Sequence, residues 1–184
     1  MLLKKVIGNR FFLYHKAIRY ISILLFYPLN LLRFRKFGFG SFCHLQCSIN
    51  SLRKISVGSN TTINKFVTIW ATKLTIGDNT QINPGTVIYG DVIIGNNVMI
   101  APNCTIAGGN HKYTTRTKPM RFQGSDEKPI IIEDDVWIGA NSSILGGVTI
   151  RKGSIIGAGS VVTKDIQDYT INFGNPCIFI KNRP

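Results

Sequence analysis

Residues 76–106 read IGDNTQINPGTVIYGDVIIGNNVMIAPNCTI, and in this stretch an isoleucine returns at every sixth position. The residue that follows the isoleucine is often small or polar, as at Gly77, Asn83, Gly95 and Ala101. A period of six fits neither the 3.6-residue turn of an α-helix nor the simple alternation of long strands. The stretch therefore predicts short strands of equal length that are separated by tight corners.

The same spacing extends from this stretch in both directions. Upstream it passes through Val57, Ile63 and Ile69, with one extra residue before Ile76, and downstream it resumes at Ile132 and continues through residues 138, 144, 150 and 156 to Val162. All fifteen of these positions hold Ile or Val. This is the hexapeptide pattern of a parallel β-helix, in which three phrases close one triangular coil. We predict an all-β fold of five coils, opened by Val57, Ile76, Ile94, Ile132 and Ile150, with Cys43 and Ile49 beginning an irregular sixth.

The pattern is interrupted once, between Ile106 and Ile132. Twenty residues more than the repeat requires leave the coil at one corner, and this extruded loop covers residues 108–128. Long loops in compact domains usually carry function. The loop also contains His111, the only histidine in the repeat region, so we predict that it forms part of an active site.

Length and charge set limits on the class of protein. A chain of 184 residues with 44% hydrophobic residues is expected to form one domain. Its net charge of +13 is uneven, because twelve Lys and Arg residues precede the first acid, Asp78. The amino-terminal part is therefore expected to meet a negatively charged partner. The four scattered cysteines predict neither a disulfide framework nor a zinc site, and we interpret them as reduced thiols of a cytoplasmic protein.

The basic amino-terminal segment, residues 1–40, mixes aromatic, aliphatic and basic side chains. A secretory signal would require small residues where Arg33 and Arg35 stand, and Arg19 and Pro28 leave an apolar stretch about half the length of a membrane span. Two interpretations remain: a partly helical cap packed on the β-helix, or an amphipathic helix in residues 1–36 that lies on anionic lipid. The predicted division is residues 1–40 for this segment, residues 41–165 for the β-helix and residues 166–184 for a carboxy-terminal cap.

Two stretches in the second half carry a family resemblance. Residues 129–165 read PIIIEDDVWIGANSSILGGVTIRKGSIIGAGSVVTKD, and residues 174–181 read GNPCIFIK. Over about residues 55–181 the chain resembles the hexapeptide-repeat O-acetyltransferases that use acetyl-CoA, which include galactoside, maltose and surface-polysaccharide acetyltransferases. The resemblance implies a left-handed parallel β-helix and a homotrimer with each active site between neighbouring subunits.

The resemblance also implies roles for individual residues. His111 takes the place of the catalytic base, and Asn83 that of an asparagine that positions the acceptor or the reacting carbonyl, although an asparagine there is also an ordinary corner residue. The positions that the resemblance assigns to acetyl-CoA are Trp137, Gly139, Ala140, Ala158, Thr163, Lys164 and Lys181. No metal is expected. Asn110 replaces an acid found in many relatives, so the group that orients the imidazole is left open.

The resemblance implies acetyl transfer to a hydroxyl group, and with the features of this chain it leads us to expect direct transfer to a sugar in surface-polysaccharide synthesis (O-antigen of lipopolysaccharide, capsule or exopolysaccharide). The ordinary pKa of histidine suits a general base at neutral pH. The loop offers a set of groups for an acidic or phosphorylated sugar: Lys112, Arg116, Lys118, Arg121, Lys128, Tyr113 and Phe122. A lipid-linked acceptor at the inner face of the cytoplasmic membrane would also engage the basic segment. Nucleic acid is not an expected partner.

Other functions on the same fold remain alternatives. They are a serine or other small-molecule acetyltransferase, a sugar-nucleotide N-acetyltransferase and, with less support, a noncatalytic solenoid that binds a partner. A zinc-dependent carbonic anhydrase requires three histidine ligands, whereas His15 and His44 lie outside the repeat.

Overall fold

A computed structural model describes residues 27–184 of the chain, and these residues form a left-handed parallel β-helix. Residues 27–33 are helical and lead directly into the first coil. Residues 1–26, which hold most of the basic amino-terminal segment, lie outside the described residues. Among residues 27–184 no helix has both the length and the apolar character needed to cross a membrane.

The coils follow one another along the chain as short strands. The first four coils, with a 3₁₀ helix at Leu52–Lys54, contain β1 (Lys36–Phe37), β2 (Phe42–Cys43), β3 (Ser48–Ile49), β4 (Ile55–Val57), β5 (Thr62–Ile63), β6 (Thr68–Ile76), β7 (Gln81–Ile82), β8 (Val87–Ile94), β9 (Met99–Ile100) and β10 (Thr105–Ala107). The extruded loop contains β11 (Gly109–His111), a 3₁₀ helix at Met120–Phe122 and β12 (Ser125–Glu127). The remaining coils contain β13 (Ile130–Ile132), β14 (Trp137–Ile138), β15 (Ser143–Leu145), β16 (Thr149–Ile150), β17 (Ile155–Ile156), β18 (Val161–Val162), β19 (Thr170–Phe173) and β20 (Ile178–Asn182).

The strands stack into three walls, each of which is a parallel ladder. The second wall shows the register most simply, because Ile82 pairs with Ile100, which pairs with Ile138, which pairs with Ile156. The first wall runs through β4, β13 and β16, and the third through β3, β10 and β15, while β6 and β8 continue across the corner from the third wall to the first. All fifteen residues of the predicted six-residue pattern point into the prism and are at most 2% exposed. The period-six prediction is confirmed.

The corners are held by small and polar residues because adjacent coils approach closely there. The hydroxyl of Thr80 donates to the Gly95 carbonyl oxygen at 2.9 Å, and its oxygen accepts from the Val98 amide at 3.1 Å. At Gly77 an added Cβ would lie 2.5 Å from Asn96 Oδ1 and 2.6 Å from the Gly95 backbone. The residue after the inward isoleucine is therefore small at this corner for lack of space.

Six complete coils are present, one more than the five regular coils predicted. The additional coil is the first, with Phe37, Cys43 and Ile49 as its inward residues, and it pairs in regular parallel register with the second. Its ladder begins at Lys36, before the predicted start of the β-helix at residue 41. The period of six is hidden there because Phe and Cys replace Ile and Val at two of its three positions.

The carboxy-terminal tail both continues the solenoid and closes it. Ile166 bridges to Ile150 and Ile171 pairs with Ile155, so the tail adds part of a seventh turn. β20 then folds back antiparallel on β19. Arg183 fastens this cap, because its Nη1 contacts Asp135 Oδ2 at 2.9 Å and the Gly153 carbonyl oxygen at 2.9 Å.

Candidate active site

The extruded loop is a β-hairpin anchored on the third wall. β11 and β12 pair antiparallel, with His111 opposite Ser125 and Gly109 opposite Glu127. At the base, the Gly108 amide donates to the Tyr89 carbonyl oxygen of the coil below at 2.9 Å, and the Lys128 amide donates to the Gly108 carbonyl oxygen at 3.0 Å. Because these bonds join the hairpin to the solenoid, they fix where its first strand, and therefore His111, emerges.

A cleft of about 320 Å³ lies between this hairpin and the outer face of the third wall. The hairpin contributes Asn110, His111, Ser125 and Glu127, and the wall contributes Trp70, Thr72, Tyr89, Gly90 and Ala107. The cleft therefore combines one imidazole, polar side chains and two aromatic rings. Its volume falls in the lower part of the range that is usual for small-molecule sites.

His111 is exposed and faces this cleft. The Asn110 side chain accepts a hydrogen bond from the His111 main-chain amide at 2.9 Å, so Asn110 stabilises the backbone of the strand. Opposite residues of an antiparallel pair share a face, which puts Glu127 on the same side of the hairpin as His111 and diagonal to it. Such neighbours are about 7–8 Å apart at the backbone, within reach of long side chains. Glu127 is thus an acid near the imidazole on the partner strand, a position that local sequence gives no reason to single out.

Asn83 lies at the corner between the second and third walls, and its side-chain amide makes three hydrogen bonds. Nδ2 donates to the Ile100 carbonyl oxygen at 2.9 Å, and Oδ1 accepts from Gln81 Nε2 at 3.0 Å and from Asn64 Nδ2 at 3.3 Å. His111, by contrast, leaves the far end of the third wall. Within one chain the width of that wall separates Asn83 from His111, and the structure does not bring them together.

Trp137 stands on the outer face of the second wall, where it is 47% exposed and pairs with Met99 below and Ile155 above. Gly139 follows it into the corner, where an added Cβ would lie 2.5 Å from the Ala158 nitrogen. The Ala140 carbonyl oxygen accepts from the Gly159 amide at 2.8 Å. Trp137, Gly139, Ala140 and Ala158 therefore form one continuous surface on the fifth and sixth coils.

The predicted residues at the nucleotide end lie nearer the carboxy-terminal cap. Thr163 and Lys164 are exposed and follow β18 at the corner between the third and first walls. Lys181 is exposed in β20, opposite Ile171. Within one chain, Lys164 and Lys181 therefore lie on different edges of the solenoid. Both are nearer to its carboxy-terminal end than His111 is.

The loop bases predicted to bind the acceptor are all exposed: Lys112, Arg116, Lys118, Arg121 and Lys128. Lys128 Nζ lies 3.7 Å from Asp126 Oδ2, the one carboxylate contact made by these five bases in the described part of the chain. Tyr113 and Phe122 are also largely exposed. The loop thus presents a basic and aromatic surface around the hairpin that carries His111.

No group of three or more His, Cys, Asp and Glu side chains is placed to hold a metal ion within residues 27–184. The four cysteines are free thiols. Burial raises the pKa of Cys104 and that of Cys177, so both thiols resist ionisation.

Sequence comparison matches two families of short repeats. Residues 73–108 match the pattern described as bacterial transferase hexapeptide (six repeats), and residues 129–164 match the hexapeptide repeat of succinyl-transferase. A galactoside O-acetyltransferase of Lactococcus lactis is 45% identical over 89 residues, which are 48% of this chain and 42% of that relative. The chain spans about half the length of the curated relatives that it matches.

Structural comparison finds two kinds of acyltransferase. A hexapeptide-repeat-containing acetyltransferase of Vibrio cholerae, complexed with acetyl coenzyme A, is 30% identical with a TM-score of 0.60, over 86% of this chain and 76% of that chain. An N-acyltransferase variant of Bacillus cereus, in complex with dTDP-4-amino-4,6-dideoxyglucose and coenzyme A, is 27% identical with a TM-score of 0.77, over 85% of this chain and 88% of that chain. Both similarities cover most of the β-helix.

Proposed function

The chain belongs to the hexapeptide-repeat acetyltransferases, and on that premise we propose that it transfers an acetyl group from acetyl-CoA to a hydroxyl group of a carbohydrate. The observation that carries this proposal is His111, which a hairpin fixed to the solenoid presents to a cleft of about 320 Å³. An imidazole at the mouth of such a cleft is suited to take a proton from an alcohol.

The reaction follows from that position. The acceptor oxygen forms a bond to the thioester carbonyl carbon while its proton passes to the His111 imidazole. The carbon–sulfur bond then breaks, and the leaving CoA thiolate takes up that proton from the His111 imidazolium. Glu127 lies on the same face of the hairpin, where its carboxylate is placed to stabilise the charged form of the imidazole. Direct transfer without an acyl-enzyme is part of this proposal, although the register of the hairpin places Ser125 opposite His111.

Acetyl-CoA is proposed to bind along the carboxy-terminal half of the solenoid. The pantetheine arm packs on Trp137 and passes the small residues Gly139, Ala140 and Ala158, where a larger side chain would narrow the groove. The phosphates lie towards Thr163, Lys164 and Lys181, and the ammonium groups of the two lysines match the charge of the phosphates. Solved relatives bound to acetyl-CoA or CoA support this ligand.

The working enzyme is proposed to be a homotrimer with each site formed by two chains. The support comes from distance within one chain: the third wall separates His111 from Asn83 and Trp137. A neighbouring subunit that packs beside the hairpin, at the edge of the third wall where β10 ends, would bring its own Asn83 and Trp137 to His111. Since the Asn83 amide already bonds to three groups of its own chain, its role would be to hold the corner that faces the acceptor.

The shared site can be tested by mixing inactive subunits. Trimers assembled from equal amounts of His111→Ala and Asn83→Ala chains should recover about a quarter of wild-type activity, because a quarter of random interfaces pair an intact His111 with an intact Asn83. Activity is measured as CoA release after the two chains are unfolded and refolded together, with each variant refolded alone as the control. If the mixture is no more active than the separate variants, the two residues do not meet across an interface.

The acceptor is proposed to be a unit of a surface polysaccharide, carried on a lipid-linked diphosphate. The exposed bases of the hairpin loop suit an acidic or phosphorylated sugar. A second candidate is N-acyl transfer to an amino sugar, which the similarity to the Bacillus cereus N-acyltransferase favours. Assaying CoA release with neutral sugars, amino sugars, nucleotide sugars and purified lipid-linked oligosaccharide separates the two. An ester product is cleaved by mild alkali, whereas an amide product is not.

The same assay also tests whether the protein transfers acetyl groups to carbohydrates at all. The proposal predicts CoA release with at least one carbohydrate class above the rate without acceptor. Serine and other small alcohols serve as competitors, since they are substrates of acetyltransferases on the same fold. If a small alcohol is used with a higher kcat/KM than every carbohydrate, the acceptor class is wrong.

Membrane contact is proposed to occur through residues 1–36 at the inner face of the cytoplasmic membrane. Replacing Lys4, Lys5 and Arg10 by Gln should lower the partition coefficient on vesicles of anionic phospholipid, measured by flotation, by about 100-fold, since three bases that each contribute about 1 kcal/mol near such a surface together contribute about 3 kcal/mol. Replacing Lys112, Lys118 and Lys128 by Gln is the control with equal loss of charge. Equal flotation of the wild type and both variants would exclude an electrostatic anchor in this segment.

A further inference from the structure

Two aromatic side chains below the hairpin have no assigned role. Trp70 and Tyr89 are in register on adjacent coils of the third wall, and both point outward. They are 54% and 37% exposed, and their rings meet edge to face with centroids 5.9 Å apart at 84°. Large exposed aromatic groups that support each other in this way form a rigid apolar platform, which is typical of a binding surface.

The platform and His111 belong to the same cleft. Tyr89 is in register with Ala107, and the hairpin leaves the wall directly after Ala107. The small methyl group of Ala107 leaves room next to His111, while the two rings rise from the wall on the next two coils. From Ala107 to Trp70 is two coil spacings, about 10 Å, or roughly the length of two sugar rings.

We propose that Trp70 and Tyr89 form a second sugar subsite, so that the acceptor is an oligosaccharide of at least two units. The reacting unit lies beside His111 over Ala107, and the adjoining unit stacks on Tyr89 and Trp70. The glycan then extends towards the amino-terminal end of the solenoid. This inference rests on the proposed acetyl transfer to carbohydrate and names the size and the direction of the acceptor.

The chemistry of the lining favours a glycan over a second copy of the chain. One face of a sugar ring presents C–H groups that stack on an aromatic ring, while its hydroxyl groups require hydrogen bonds at the edge. Thr72, Ser125 and Glu127 border the two rings and supply donors and acceptors at those edges. The centre of a subunit interface, in contrast, is depleted in charged groups.

The kinetic test compares acceptor lengths of one sugar series. Glucose, galactose and N-acetylglucosamine are each compared with their β-1,4-linked di- and trisaccharides. In the wild type, the KM for the disaccharide should be about tenfold lower than the KM for the monosaccharide. In Trp70→Ala the two KM values should be equal. The same change should alter kcat and the KM for the monosaccharide less than twofold. Trp70→Phe should retain most of the gain. Phe66→Ala removes another exposed aromatic group of the same coil, outside the cleft, and should have no effect.

A binding measurement keeps the two proposals separate. The chain has two tryptophans, so in Trp137→Phe the tryptophan fluorescence comes from Trp70 alone. Its emission should shift to shorter wavelength with oligosaccharides from size-fractionated hydrolysates of bacterial surface polysaccharide, and not with monosaccharides. This shift requires no turnover. A shift in Trp137→Phe, with no CoA release by the wild type in the presence of the same oligosaccharides, would contradict acetyl transfer but support the subsite.

Three results would overturn the subsite. The first is CoA release with equal kcat/KM for mono- and trisaccharides in both the wild type and Trp70→Ala. The second is a Trp70 emission that no oligosaccharide fraction changes. The third is a Trp70 emission that depends on protein concentration, together with a lower mass of Trp70→Ala by light scattering, which would assign the two rings to a contact between copies of the chain.

Discussion

Replacing His111 by Ala is expected to lower kcat for acetyl transfer by about 10²- to 10⁴-fold, the usual contribution of general acid–base catalysis. The acceptor hydroxyl is a poor nucleophile unless its proton is removed as its oxygen attacks, and within residues 27–184 no other imidazole lines the cleft. The KM for acetyl-CoA should change little, because the residues proposed to bind the cofactor lie on the fifth to seventh coils. Steady-state CoA release with acceptor and acetyl-CoA varied in turn measures both quantities.

The control for this change is another histidine of the same chain. His44 lies at a corner of the first coil, where its Nδ1 accepts a hydrogen bond from the Gln46 amide at 3.2 Å, and it does not line the cleft. His44→Ala should therefore retain kcat within about twofold, since surface substitutions rarely have large effects. If His111→Ala retains wild-type kcat as well, the histidine is not the base and the catalytic proposal fails.

Replacing Glu127, the acid proposed to stabilise the protonated imidazole, provides a second test of the catalytic proposal. Glu127→Gln keeps the size of the side chain but removes its charge, so an imidazolium that forms in the transition state loses a partner. We expect kcat to fall by about tenfold, with KM for both substrates nearly unchanged. Glu127→Asp should recover part of the rate. Loss of stability without these kinetic changes would assign Glu127 to the structure of the hairpin alone.

The repeat was predictable because the interior of a narrow prism tolerates little variation. Each coil contributes three inward positions, and residues such as Ile82, Ile100 and Ile138 lie directly above one another, so their size and shape must match. That constraint repeats every six residues and can be read from one sequence. The first coil was only partly predicted from the sequence. Its inward residues Phe37 and Cys43 lie at the end of the stack, where only one neighbouring coil limits their size and shape.

The site was only partly predictable, because a solenoid brings together residues that the sequence keeps apart. His111 could be found from the sequence, since it lies where the period breaks. Trp70 and Tyr89 are 41 and 22 residues before His111, and they share its cleft because successive coils stack one above another. Each directly follows an inward isoleucine, a position that in other phrases of the repeat is often held by a glycine or an asparagine at a corner. An aromatic ring at that position is visible in the sequence as an exception to the repeat. Its connection with His111 follows only from the structure, in which the third wall lies next to the hairpin.

The second large effect is expected at Gly90, directly below the base of the hairpin. Gly90 has φ +77°, and an added Cβ would lie 2.7 Å from the Gly108 carbonyl carbon and 2.8 Å from the Gly109 nitrogen. Those atoms begin the strand that carries His111, and a misplacement of about 1 Å at a reacting group can cost 10²-fold in rate. Gly90→Ala should therefore lower kcat by about 10- to 100-fold in a chain that still folds, as judged by circular dichroism and the melting temperature.

Gly159→Ala separates the effect of the contact from the effect of the backbone angle. Gly159 has φ +70°, but an added Cβ would meet nothing within 4 Å. Both alanines therefore bear the cost of a left-handed backbone, about 1–2 kcal/mol, and only the one at position 90 collides with the hairpin. The free energy of unfolding should fall in both variants and further in Gly90→Ala, whereas kcat at saturating acetyl-CoA should fall in Gly90→Ala alone. Equal kcat in the two variants would mean that the solenoid does not fix the position of the imidazole, because displacing the strand that bears His111 would then have no effect on the chemical step.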